Sequence, residues 1–226
     1  VQRVRKAIEP LGEGKPDDEV ISTIARKMGG ADFQYGSPEE IFREMTQLTP
    51  IYQGITYERI DQEGIQWPCR NPEDKGTPFL HKDQFSKGKG TFFAIPYREP
   101  AELTNDEFPF WLTTGRVGFQ YHTRTMTGVS PSLQKEAPEG YLEINPFDAA
   151  QLGIDEGEKV YVISRRGKIE IKAMLTFSVA RNTVFIPFHY IESAANVLTN
   201  TAFDPVAKIP ELKVGAVRVE KMESQG

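Results

Sequence analysis

The stretch Phe108-Pro-Phe-Trp-Leu-Thr-Thr-Gly-Arg-Val-Gly-Phe-Gln-Tyr-His-Thr-Arg-Thr-Met-Thr-Gly128 changes character partway along its length. From Phe108 to Leu112 it is aromatic and aliphatic, which predicts a buried strand bounded by turn residues. Thr113, Thr114, Gly115 and Arg116 then set two hydroxyls, a bare backbone and a guanidinium at the end of that strand. Gln120, His122, Thr123, Arg124, Thr125 and Thr127 form a second polar cluster after Val117, Gly118 and Phe119, with Tyr121 between them. Gly115 and Gly118 permit close approach of a ligand to the backbone. Arg116 and Arg124 suit bidentate contacts with an anion such as a pyrophosphate. The dense donor set points to a large, polar, phosphorylated ligand; the plainer reading is a threonine-rich strand and loop with solvated arginines.

Working outward, residues 105–226 read as a small β-rich domain. Tyr141-Leu-Glu-Ile144 is a short strand, and Asn145-Pro146 caps a short helix that runs through Leu152 and closes at Gly153. Asp155-Glu-Gly157 turns the chain into the strand Val160 to Ile163, and Arg165-Arg-Gly167 makes a hairpin. Ile169, Ile171 and Ala173 alternate with Glu170 and Lys172, so one face of that strand is buried and the other wet. Thr183 to Ile186 and Val214 to Val219 complete the set. Six or so short strands with one short helix predict a closed barrel, which leaves no exposed edge.

Residues 1–104 are different. Pro16 stands where a first helical position would be, and Val20, Ile21, Ile24, Ala25 and Met28 follow at helical spacing up to Gly29-Gly30. Ser37-Pro-Glu-Glu40 is a capping box that opens a second helix along Ile41, Met45 and Leu48, stopped by Thr49-Pro50. From Ile51 to about Pro100, prolines break regularity while aromatics recur, which describes an irregular segment laid over another surface rather than a disordered linker.

Composition narrows the function classes. A net charge of −5 and a pI near 5.4 argue against a general nucleic-acid surface. Neither a membrane-spanning run nor an export leader is read: Val1-Gln-Arg-Val-Arg-Lys-Ala7 lacks the apolar stretch that should follow its charges. The single Cys69 excludes a disulfide or a thiolate-built cluster within this sequence and has no obvious activating partner. His81, His122 and His189 show no metal-site spacing, and no metal ligand or catalytic residue is assigned.

The run Thr114 to Thr123, with Met126-Thr-Gly128, resembles the signature that opens the C-terminal domain of molybdenum or tungsten oxidoreductases, above all formate dehydrogenase catalytic subunits. Ser37-Pro-Glu-Glu-Ile-Phe42, Leu48-Thr-Pro50, Gly54-Ile-Thr-Tyr-Glu-Arg59, Gln66-Trp-Pro-Cys69 and Gly76-Thr-Pro78 extend the likeness across the first hundred residues, and Asn196 to Pro205 and Lys208 to Lys213 extend it to the closing segment. The resemblance implies a mixed α+β chain. Residues 105–226 would form a double-psi β-barrel that binds the dinucleotide, and residues 1–104 the helical and irregular tail of the large α/β molybdopterin oxidoreductase region. It implies bis-molybdopterin guanine dinucleotide, carrying Mo or W, held by Thr114, Gly115, Arg116, Val117, Gly118, Phe119, Gln120, Tyr121, His122, Thr123, Asn196 and Lys213. Asn200 competes with Asn196 for its role. Phe188 and His189 would lie on the substrate side, with a buried, satisfied histidine as the alternative for His189.

Such enzymes carry their metal-ligating cysteine or selenocysteine, their catalytic histidine and arginine, and usually a 4Fe–4S cluster upstream of the region that matches here. The chain is therefore expected to be the C-terminal part of a catalytic subunit, whether a fragment or a split gene product, and inactive alone. Its expected partners are the N-terminal remainder and iron–sulfur electron-transfer subunits, with no nucleic acid and no direct membrane insertion. The cytoplasm is the expected location, with the periplasm left open. Two rival readings stand beside formate oxidation: a nitrate reductase-type domain, and a cofactor-free barrel acting as an interaction module.

Overall fold

In a computed structural model, which describes residues 1–222, the alternating segments close on themselves. The six strands are β1 (Phe110–Gly115), β2 (Tyr141–Ile144), β3 (Lys159–Ile163), β4 (Lys168–Leu175), β5 (Thr183–Pro187) and β6 (Gly215–Lys221). They form a closed barrel in the order β1-β5-β2-β4-β3-β6. β1 pairs with β5 and β2 with β4 in parallel, and the remaining neighbours are antiparallel. Because side chains alternate across a strand, every second residue points inward. Leu112, Leu142, Ile144, Val160, Val162, Ile169, Ile171, Val184, Ile186, Val217 and Val219 fill the interior. Burying each large aliphatic side chain contributes about 1.5–3 kcal/mol. This is the barrel that the alternation and the resemblance both lead to.

Local signals set most boundaries. Asn145 Oδ1 accepts the Phe147 N–H and opens α4 (Pro146–Leu152), and Gly153 closes it at φ 67°. The Arg165-Arg166-Gly167 turn closes with Ser164 N–H on the Gly167 carbonyl at 2.9 Å. The bounds of β1 and β6 are corrected. β1 begins two residues later than read and continues through Gly115, because the parallel register with β5 extends to Gly115 opposite Pro187. Phe108 stays outside it, in a turn where its N–H donates to Asn105 Oδ1. β6 starts at Gly215 and reaches Lys221. A further helix, α3 (Pro131–Glu136), was not foreseen, since its one and a half turns carry no apolar period.

The chain divides into two compact units, Val1–Ala94 and Ile95–Gly226. Residues 223–226, the end of the expected 105–226 domain, lie outside the described residues. The first unit carries α1 (Asp17–Lys27) and α2 (Pro38–Leu48). Pro16 caps α1 from an extended conformation, φ −64° and ψ 152°, so the helix starts one residue later than expected. Ser37 caps α2 by accepting the Glu40 N–H, and the Glu40 carboxylate reaches back to the Gly36 N–H at 2.7 Å. Beyond Tyr52 this unit is irregular, as its prolines predict, around a small core of Ile55, Ile60 and Cys69. Arg59 organises that core by donating to the carbonyls of Gly54 and Asp74. Among the described residues no helix is long and apolar enough to cross a membrane.

Candidate functional site

Strand direction decides which loops meet. Parallel pairing of β1 with β5 puts Gly115 beside Pro187, so Arg116 and Phe188 leave the barrel at the same end. β6 runs antiparallel to β1, so the residues before Gly215 enter at that end. β3 is antiparallel to β6, which brings the Arg165–Gly167 hairpin there too. Val197 lies against Gly167, and the Leu198 carbonyl accepts from Arg166, which fixes the 3-10 turn Ala195–Val197 at the same rim. Residues 114–123, 188–189, 196 and 213 are therefore gathered on one rim from segments up to a hundred residues apart in sequence.

Within the signature, the side chains divide into two groups. Thr114 is buried, and its hydroxyl donates to the Leu212 carbonyl at 2.8 Å. Gly115 is hemmed in: a Cβ there would stand 2.6 Å from the Phe185 ring. Gln120 is buried, with its amide donating to the Ala137 carbonyl at 2.9 Å and its oxygen accepting from Thr127. The Val117 N–H donates to His189 Nε2 at 3.0 Å. These groups shape the loop from within. Arg116, Gly118, Phe119, Tyr121, His122 and Thr123 face outward. Thr123 shares a 2.7 Å hydroxyl contact with Thr125. Arg116 has no carboxylate partner among the described residues, and its guanidinium lies 5.2 Å from the Phe188 ring centroid.

His189 is 2% exposed and has both ring nitrogens engaged inside the fold. Asn196 is exposed, whereas Asn200 donates to Glu211 and to the Val214 carbonyl, which leaves Asn196 the freer of the two amides. Lys213 is exposed, with Nζ 3.5 Å from the Thr114 carbonyl. Arg124, read from sequence as a second anion contact, is paired with Glu192 at 2.7 Å and rests 4.8 Å from the Tyr190 ring centroid. Glu102 escaped notice altogether: it is buried on the rim between Arg165 and Arg166 and accepts the Ala216 N–H. No local pattern marks it, because its partners lie more than sixty residues away.

A groove of about 790 Å³ starts at Arg116–Phe119 and runs down the outside of the barrel over Tyr141, Glu143 and Phe185. Its walls carry Glu136, Glu139, Glu143 and Glu156 against Arg116 and Lys172. Burial holds the Glu143 carboxyl above the ordinary carboxylate range. Lys172 is already paired with Glu139. The groove is thus hostile to phosphate along most of its length, while the rim at Arg116 and Lys213 favours it. The rim also offers free donors. Among the described residues the backbone N–H groups of Gly118, Phe119, His122 and Thr123 have no hydrogen-bond partner. Around Gly118, nothing lies within 4 Å of where a Cβ would be, so a ligand can reach the main chain there. Among the described residues no cluster of histidine, cysteine and carboxylates could hold a metal ion. Exposed cations, unengaged N–H groups and open backbone together fit a diphosphate joined to polar ring systems.

Comparison with known proteins agrees with this chemistry. Residues 110–216 match the model of the molydopterin dinucleotide binding domain. The F420-dependent formate dehydrogenase subunit alpha of Methanocaldococcus jannaschii is 49% identical over 225 residues, which cover 98% of this chain and 33% of that protein. A nitrate reductase of Symbiobacterium thermophilum is 38% identical over 245 residues, covering 97% of this chain and 32% of that protein. Among solved structures, acetylene hydratase from Pelobacter acetylenicus superposes with a TM-score of 0.67 at 16% identity, over 96% of this chain and 34% of that one, a likeness of fold. The chain spans about a third of the length of the curated relatives it matches.

Proposed function

We propose, from the match of residues 110–216 to the molydopterin dinucleotide binding domain, that the chain is the C-terminal, cofactor-holding portion of a formate dehydrogenase catalytic subunit. The observation that carries this reading is the rim itself. Among the described residues a guanidinium without a carboxylate partner at Arg116, the ammonium of Lys213 and the free N–H groups of Gly118, Phe119, His122 and Thr123 stand on it, as does the exposed amide of Asn196. Arg116 offers a planar fork of donors to phosphate oxygens, and Lys213 a point charge. Asn196 supplies both donors and an acceptor, as the edge of a pterin or guanine requires. Thr114, Gly115 and Gln120 act through the backbone they shape. The 49% identity to a formate dehydrogenase alpha subunit, held over nearly the whole chain, supports formate over nitrate as the substrate.

On this reading the ligand is bis-molybdopterin guanine dinucleotide with Mo or W. The metal–dithiolene group supplies two-electron redox chemistry, oxidising formate to CO2, while the protein binds and orients it. The chain's own part is to fix the dinucleotide ends and to close one wall of the site. Residues 105–226 are the domain that does so, and residues 1–104 the tail of the preceding region. The metal ligand, the catalytic acid–base groups and a 4Fe–4S cluster belong to the remainder of the subunit, and iron–sulfur electron-transfer subunits are its partners. A cytoplasmic enzyme is the setting.

The test is to assemble the full subunit with its cofactor, photo-crosslink the nucleotide, and map the adducts by mass spectrometry. Adducts on the peptides holding residues 114–123 and 196–213 are expected, and the assembled enzyme should reduce a viologen with formate in preference to oxidising it with nitrate. The 226-residue chain alone should catalyse neither reaction. Assembled, loaded enzyme with no adduct on those peptides would favour a barrel that serves only for interaction. Turnover with nitrate but not formate would favour the rival substrate, which the 38% identity to a nitrate reductase keeps in view.

A further inference from the structure

Phe188, His189 and Tyr190 leave β5 in succession, and each meets the loop that follows β1. The Phe188 ring lies beside the Arg116 guanidinium at 5.2 Å, and its N–H donates to the Gly115 carbonyl at 3.1 Å. Tyr190 is buried, donates to the Ala137 carbonyl that also accepts from Gln120, and supports Arg124 on its face. Between them, the His189 ring bridges the two ends of the donor loop. Nε2 faces the Val117 N–H at 3.0 Å, and Nδ1 faces the His122 carbonyl at 2.5 Å. A backbone N–H can only donate and a carbonyl can only accept. Nε2 must therefore be bare and Nδ1 must carry the proton, so one neutral tautomer satisfies both contacts.

The loop needs such a tie. His122 and Arg124 adopt φ of 46° and 64°, a left-handed conformation that side-chain-bearing residues enter at a cost. His122 is itself the residue whose carbonyl His189 holds, and Arg124 lies two positions on. The free N–H groups of Gly118, Phe119, His122 and Thr123 lie between or beside the two tied points. We propose that His189 is the positioning residue of the dinucleotide site. Its imidazole clamps Val117 to His122 and thereby presents the backbone donors of residues 118–123, with Arg116, in a fixed arrangement before ligand arrives. The role in ligand capture rests on the reading of the rim as a cofactor site; the clamp itself is a property of the fold.

Two measurements on the 15N-labelled chain address the clamp. A long-range proton–nitrogen correlation on His189 should show the proton on Nδ1. Val117 amide exchange should be slow in the wild type and roughly ten- to hundredfold faster in His189→Ala. His189→Gln offers an acceptor where Nε2 was, and His189→Asn a donor where Nδ1 was. His189→Gln should restore Val117 protection in part while His189→Asn does not, an ordering that simple cavity formation would not produce. Barrel amides such as Val160 and Val162 in the same spectra report folding. If His189→Ala unfolds the barrel, the tautomer and the Gln-against-Asn ordering still decide. In the assembled subunit, dinucleotide retained after gel filtration at limiting cofactor should fall about tenfold in His189→Ala and recover partly in His189→Gln. A proton on Nε2, or Val117 exchange unchanged in His189→Ala, would overturn the clamp, and retention equal to wild type would overturn its positioning role. A sound clamp in a wild-type subunit that binds no dinucleotide would instead overturn the cofactor reading.

Discussion

Replacing Glu102 by glutamine should remove a pH-dependent part of the barrel's stability. The carboxylate is 9% exposed and receives Arg165 at 2.7 Å, Arg166 at 2.5 and 2.8 Å, and the Ala216 N–H at 3.0 Å. It joins the approach to β1, the β3–β4 hairpin and the start of β6 at the rim that carries the candidate site. Burial opposes its ionisation, but Arg166, the Ala216 amide and Arg165 together outweigh that, and its pKa falls from 4.5 to about 2. At about 1.36 kcal/mol for each pKa unit, the charged form gains about 3 kcal/mol on folding. Solvent reaches Arg165 and Arg166, which are 38% and 26% exposed, and screening reduces the expected effect to roughly 2–3 kcal/mol. The sign follows from linkage. The folded pKa is depressed, so the contribution is complete above the unfolded value of 4.5 and disappears as pH falls through about 2. Urea unfolding of wild type and Glu102→Gln at several pH values should show that difference at pH 7, shrinking between pH 4.5 and 2. A variant as stable as the parent at pH 7, or a difference independent of pH, would mean that the Glu102 charge does not stabilise the barrel.

Two further substitutions test the packing. Ile171→Ala, at a 4% exposed position inside the barrel, should lower unfolding free energy by about 2–5 kcal/mol in urea titration, and an unchanged midpoint would mean that β4 is misassigned. Gly115→Ala brings a methyl to 2.6 Å from the Phe185 ring and should destabilise by about 1–3 kcal/mol; Phe185→Leu in the same chain should recover part of that loss if the clash is the cause.

Much of the barrel was legible because its information is local. β2 runs from Tyr141 to Ile144 as its composition indicates, and the Asn145-Pro146 start and Gly153 stop of α4 are written in three residues. Ile169, Ile171 and Ala173 are buried as their alternation requires. The number of short strands predicted closure, but the strand order and its parallel pairs were not legible from periodicity, since pairing between β1 and β5 joins residues about seventy positions apart. The same limit applied at the rim. The residue types of 114–123 announced a polar ligand, yet the partition between inward groups and outward ones depends on Leu212, Ala137 and His189. Arg124 and Arg116 look equivalent in sequence, and only the fold brings Glu192 to the first and, among the described residues, no carboxylate to the second. Helical spacing marks an apolar face on α1, yet within its own unit Ile21, Ile24 and Met28 remain exposed.

If Arg116 and its loop grip a molybdopterin dinucleotide, as proposed, reconstitution of the full subunit at limiting cofactor should register the loss of that arginine. Guanine nucleotide and metal content per folded subunit should be measured for wild type, Arg116→Ala and Arg116→Lys, with circular dichroism as the control for folding. Loss of a charge-assisted contact worth roughly 1.5–3 kcal/mol should weaken binding about ten- to hundredfold in Arg116→Ala. Arg116→Lys should recover only part of it, because an ammonium cannot reproduce the planar fork. Occupancy equal to wild type in Arg116→Ala under those conditions would mean that Arg116 does not hold the dinucleotide and is a solvated surface charge.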